Sequence, residues 1–112
     1  MILDYSKIEE QSLPNFKGGE KSMEAKMFFD GKCRILKARL QPGASIGMHK
    51  HETNLEVIYV LKGKGTVIYD GEEFAIEAGN AQYCAQGHTH SLINTGTEDL
   101  EFIGVVPEVQ AQ

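Results

Sequence analysis

Glycine, asparagine or aspartate stands at almost every point where an apolar stretch of this chain could grow long. These residues supply the left-handed and side-chain-bonded conformations that turns require, and glycine weakens the interior of a helix. After residue 22 the chain therefore reads as short strand candidates: Met23 to Phe29, Cys33 to Leu40, Leu55 to Leu61, Thr66 to Tyr69, Glu73 to Ile76, Ala81 to Ala85, His90 to Asn94 and Leu100 to Val106. Asp30-Gly31 and Asp70-Gly71 are hairpin signals. No window sustains apolar residues at i, i+3 and i+4, apart from a weak pattern in the first dozen residues. The expectation is an all-β chain of eight or nine strands in about ninety residues, folded as an antiparallel sandwich or a closed barrel without exposed edges. Its 112 residues make one domain.

Residues 1–22 read as an N-terminal arm, with a turn over Asn15-Phe16-Lys17-Gly18-Gly19-Glu20, able to dock on a sheet or swap onto a partner. Residues 23–107 hold the barrel, and residues 108–112 form a C-terminal tail. The net charge of −5 opposes a nucleic-acid or acidic-membrane partner, since both need a positive field. No apolar run approaches membrane-spanning length, and the acidic first thirty residues are unlike a signal peptide. Cys33 and Cys84 allow one disulfide at most and form no C-x-x-C pair. Two free thiols and a cytoplasmic location are expected.

All four histidines fall in two H-x-H pairs, His49-Lys50-His51 and His88-Thr89-His90. On a strand, residues i and i+2 point the same way, so each pair aims two imidazoles together. Glu56 lies five residues after His51, an odd separation, so Glu52-Thr53-Asn54 must bend the chain for Glu56 to rejoin them. Glu56 also sits among Leu55, Val57, Ile58, Tyr59, Val60 and Leu61. An ionised carboxylate turned inward there costs several kcal/mol unless paired or metal-bound. Imidazole and carboxylate together suit one divalent transition metal ion (manganese, iron, nickel, zinc or copper) rather than calcium or magnesium.

Gly43-x5-His49-x-His51-x4-Glu56-x6-Gly63 resembles the first sequence motif of the cupin superfamily. Gly79-x5-Ala85-x-Gly87-x2-His90-x3-Asn94 is similar to the second, with Ala85 where cupins usually carry proline. The spacer between Gly63 and Gly79 matches that of small single-domain microbial cupins. The resemblance implies a double-stranded β-helix, or jelly roll, with metal held by His49, His51, Glu56 and His90. Asn94 then stabilises a loop, and a homodimer is expected.

Other residues keep two readings. His88 is either an exposed residue at the barrel mouth or a base or substrate contact near the metal. Of Tyr83 and Cys84 only one can face inward, and Cys84 is a pocket wall, a small core residue or, more remotely, a fifth ligand. Met23, Met27 and Phe29 share one side of their strand, as core, pocket wall or dimer contact, and Met48 packs in the core or an interface. Lys37 and Arg39 read as surface charges, or as cations near an anionic ligand. The last strand, with Phe102, Ile103, Val105 and Val106, is apolar on both faces, which suggests cover by a second subunit.

Two functions follow from the resemblance. One is a metalloenzyme of dioxygenase, isomerase or lyase type acting on a small organic molecule. The other is a non-catalytic module or sensor that binds metal and a small ligand. A proton-handling group beside the metal separates them, and His88, Tyr59 and Tyr83 are the catalytic candidates. Without one facing the pocket, the isomerase and lyase readings weaken and dioxygenase chemistry remains.

Overall fold

The computed structural model describes residues 1–109, so residues 110–112 of the expected tail lie outside the described residues. Ten strands follow in order: β1 (Gln11–Pro14), β2 (Ser22–Phe29), β3 (Cys33–Leu40), β4 (Ser45–Lys50), β5 (Glu56–Lys62), β6 (Lys64–Tyr69), β7 (Glu72–Glu77), β8 (Ala81–Cys84), β9 (Thr89–Ile93) and β10 (Leu100–Pro107). They pair antiparallel in two sheets, β1-β2-β3-β10-β5-β8 and β4-β9-β6-β7, which face each other as a jelly roll. The eight expected strands are present within a residue or two at each end. Two more strands, β1 and β4, were not read from the sequence. The weak helical pattern near the N-terminus is a single 3-10 turn, Tyr5–Lys7, capped by the Asp4 carboxylate.

Alternation along the strands builds the core. Met23, Leu36, Leu40, Ile58, Val60, Leu100 and Phe102 from the larger sheet meet Ile46, Val67, Ile76 and Leu92 from the smaller one. Each such side chain contributes about 1.5–3 kcal/mol on burial. Asn94 is buried between them, its amide donating to the Leu40 and Glu98 carbonyls and its oxygen accepting from Gly96, which is the loop-stabilising role expected of it.

The N-terminal segment crosses the mouth of this barrel. β1 pairs with β2 of the same chain, and a 3-10 turn at Phe16–Gly18 packs against β4. The approach is backbone to backbone: a Cβ on Gly47 would lie 2.1 Å from the Lys17 carbonyl oxygen. Ser45 ties the segment down further, its hydroxyl accepting from the Glu20 amide and its own amide donating to the Glu20 carbonyl.

On the outer face of the larger sheet the register aligns Phe28, Ile35, Val105, Val57 and Tyr83 across five consecutive strands. Tyr59, in the neighbouring row, is 46% exposed. Lys37 is exposed on this face, while Arg39 pairs with Glu10 and Asp99, so both are surface charges. Met48 is half-exposed on this chain rather than packed in its core.

Candidate metal centre

Three segments bring the site together. His49 lies on β4 directly across from His90 on β9. His51 follows just past the end of β4, anchored by its amide on the His88 carbonyl and its carbonyl on the Gly87 amide. The chain then bends at Glu52 and Thr53, and β5 begins with Glu56 facing inward, as the odd separation required.

The four side chains converge. His90 Nε2 lies 3.0 Å from His51 Nε2 and 3.1 Å from His49 Nε2. Glu56 Oε1 is 3.0 Å from His90 Nε2, 3.2 Å from His51 Nε2 and 4.0 Å from His49 Nε2. All four ligand atoms lie within 4.8 Å of one another, so the cluster could hold a metal ion.

The outer nitrogens decide which protons the rings carry. His49 Nδ1 donates to the Gly47 carbonyl at 2.8 Å, His51 Nδ1 to Asn54 Oδ1 at 2.5 Å, and His90 Nδ1 to Gln82 Oε1 at 2.9 Å. Both amides are fixed in that sense because their NH2 groups are in use, Asn54 on Glu108 and Gln82 on the Tyr83 carbonyl. With Nδ1 protonated on each neutral ring, all three Nε2 atoms present lone pairs inward, beside a carboxylate. Four acceptors about 3 Å apart repel unless a cation lies among them, and such spacings suit neighbouring ligands each held at about 2.0–2.2 Å. The donor set thus fits a divalent transition metal.

A proton is the competitor. Burial alone would raise the Glu56 carboxyl, but bonds from His51 and His90 outweigh it and hold the group at about 2. Burial likewise opposes charge on His51, yet Glu56 and Asn54 raise that ring above the ordinary imidazole range. His49, where burial dominates, is lowered.

A cavity of about 590 Å³ opens onto His49, His51 and Glu56, while His90 lies beneath them, 2% exposed. Leu13, Phe16 and Lys17 of the N-terminal segment form one wall, and Met23, Met27, Phe29, Arg34, Leu36 and Phe102 of the larger sheet form another. Met27 and Phe29 are therefore pocket wall, while Met23, 1% exposed, is core that backs it.

The three residues singled out as proton carriers lie elsewhere. Tyr59 and Tyr83 occupy outward positions of β5 and β8, 46% and 56% exposed, because alternation sends Glu56 and Cys84 inward. His88 is half-exposed at the rim, its Nδ1 on Asp70 Oδ2 and its ring stacked on Tyr69. None of the three lines the cavity. Cys84 is buried opposite Glu56, its thiol pushed up to about 11 by burial and by the Glu56 charge, and it too is absent from the lining.

Sequence reasoning missed Asn54 and Gln82, which orient two of the rings, and Gly104, where a Cβ would lie 3.2 Å from Glu56 Oε2. Gln82 shares the parity of the buried Cys84, and a glycine inside an apolar strand often marks a close approach, so both carried a signal.

The Cupin domain family model matches residues 36–106. A Thermotoga maritima protein named "Oxalate-binding protein" is 35% identical over 112 residues, covering 95% of this chain and 93% of that one. The crystal structure of a predicted oxalate decarboxylase from T. maritima superposes with a TM-score of 0.91 at 33% identity, covering 97% of this chain and all of the other. A Klebsiella pneumoniae protein with a double-stranded β-helix domain gives a TM-score of 0.75 at 17% identity over 99% of this chain and 87% of its own, a likeness of fold alone.

Proposed function

This chain belongs to the cupin family, and from that premise we propose that it holds one divalent transition metal ion through His49, His51, Glu56 and His90 and binds a small carboxylate on it. The observation that carries the proposal is the set of three lone pairs and one carboxylate facing each other, with every outer ring nitrogen already donating. Oxalate is the first ligand to test, because it is the one named in the Thermotoga matches.

The ion, when bound, supplies Lewis acidity and, if it is iron or manganese, oxygen chemistry. The chain's own residues hold and orient: Gly47, Asn54 and Gln82 fix the rings, and Gly104 leaves room for the carboxylate of Glu56. With His88, Tyr59 and Tyr83 outside the cavity, the isomerase and lyase readings lose the proton carriers they were given. A dioxygenase-type enzyme reading stands, and that same placement favours the second reading, a binding module without turnover. We place the protein in the cytoplasm, supported by the unpaired thiols of Cys33 and Cys84.

Elemental analysis of the untagged protein followed by calorimetry with oxalate tests the proposal. About one iron, manganese, nickel, zinc or copper per chain is expected, with saturable oxalate binding that a chelator abolishes. A protein that refuses every one of these metals overturns the metal reading. Metal without any carboxylate binding overturns the ligand reading.

We also propose a homodimer through the outer face of the larger sheet, supported by its apolar row over five strands. Light scattering should give twice the 12.4 kDa chain mass, and Tyr59→Glu should reduce it to one chain. A monomeric mass for the unaltered protein removes this part of the proposal.

A further inference from the structure

The cavity is much larger and more apolar than oxalate needs. Six non-hydrogen atoms, each taking no more than a water molecule's share of about 30 Å³, fill less than a third of its 590 Å³. Cavities of about 300–1,000 Å³ ordinarily take whole organic ligands. Phe16, Met27 and Phe29 line it with Met23, Leu36 and Phe102 behind them in the core, and a fully polar dianion would leave the surfaces of the first three against water. Phe29 is already 50% exposed, so the chain leaves apolar surface uncovered at the mouth.

The charges point to the ligand's other end. Lys17 and Arg34 line the same space, and neither forms an ion pair among the described residues. The Arg34 guanidinium lies 4.3 Å from the centre of the Phe29 ring. Lys50 and the exposed Glu52 are also on the lining, and the Glu108 carboxylate is taken up by Thr53 and Asn54. Lys17 is held in place at some conformational cost, with φ 56° and ψ 28°, between Asn15 and Gly18, which are left-handed as well. Non-glycine residues keep that conformation only where their surroundings impose it, and such positions cluster at ligand clamps.

Resting on the metal-carboxylate reading above, we infer that the ligand is a 2-oxo or 2-hydroxy carboxylate bearing a branched or aromatic apolar body, its acid end toward the ion and Lys17 and its body against Met27, Phe29 and Phe16. A 2-oxo or 2-hydroxy acid keeps the two neighbouring oxygens of oxalate and adds the apolar part that the wall can cover.

Calorimetry on the metal-loaded full chain tests this with oxalate, pyruvate, 4-methyl-2-oxopentanoate and phenylpyruvate as probes. The two acids with apolar bodies should bind at least about tenfold tighter than pyruvate. In Met27→Gln and in Phe29→Ser that gain should shrink to about threefold or less, with oxalate affinity held within about twofold. Phe29 is half-exposed, so its variant keeps the test open if Met27→Gln folds poorly. Lys17→Met should weaken all four acids alike. Oxalate and pyruvate binding with no gain from the apolar body overturns this inference alone. Failure of every acid to bind a metal-loaded protein overturns it together with the carboxylate reading on which it rests.

Discussion

His51→Ala is expected to abolish tight metal binding while leaving an all-β fold. The substitution removes one of the four inward acceptors and the Glu56 partner at 3.2 Å. Losing only a group that orients a metal ligand typically costs 10–100-fold in affinity, so losing the ligand itself should cost at least about a hundredfold. His51 contributes little to the core, since it lies beyond the end of β4 at the mouth of the barrel. Its two backbone bonds to the Gly87–His88 turn do not depend on the side chain. Elemental analysis after dialysis and far-ultraviolet circular dichroism read the two parts separately. A variant that keeps stoichiometric metal would show that the ion is held by other residues. A variant that unfolds would show that the imidazole carries the mouth as well as the ion.

Phe102→Ala should be strongly destabilising. Phe102 is fully buried on β10, paired with Ala38 of β3 on one side and Val60 of β5 on the other. Truncating a buried phenylalanine costs about 3–5 kcal/mol, against a total of about 5–15 kcal/mol for an ordinary domain. Thermal unfolding of the metal-free protein should therefore shift down by at least about 10 °C. The same change enlarges the cavity floor, so ligands with a short apolar body should also lose affinity. A cost below about 1 kcal/mol would mean that the wall repacks without it.

The sequence was most readable where chemistry and geometry repeat at short range. Cys33–Leu40 was delimited to the residue because Asp30-Gly31 opens it and Gln41-Pro42-Gly43 closes it. The inward turn of Glu56 followed from parity and from the cost of a buried carboxylate. β4 was hidden because Ser45–Lys50 contains a glycine and a histidine and only a weak apolar alternation. Gly47 is nevertheless required there, because the Lys17–Gly18 backbone lies against it. That contact joins residues about thirty positions apart, and nothing local in either segment announces it. The same holds for His88 and Asp70, which meet only because β6 pairs with β9. Residue type alone suggests Tyr59 and Tyr83 as proton carriers, but the parity that turns Glu56 and Cys84 inward sends them outward.

The N-terminal segment gives the barrel an interchangeable wall. It supplies Leu13, Phe16 and Lys17 to the cavity but none of the four inward acceptors. Both sheets beyond β1 are complete without it, and it is stitched to β4 chiefly through backbone groups and Ser45. Substitutions at Phe16 and Lys17 can therefore change which molecules are admitted while leaving the ion's four acceptors in place. A graft of residues 11–21 should therefore carry over the share of ligand choice that Phe16 and Lys17 set, while the share set by Met27 and Phe29 stays with the barrel.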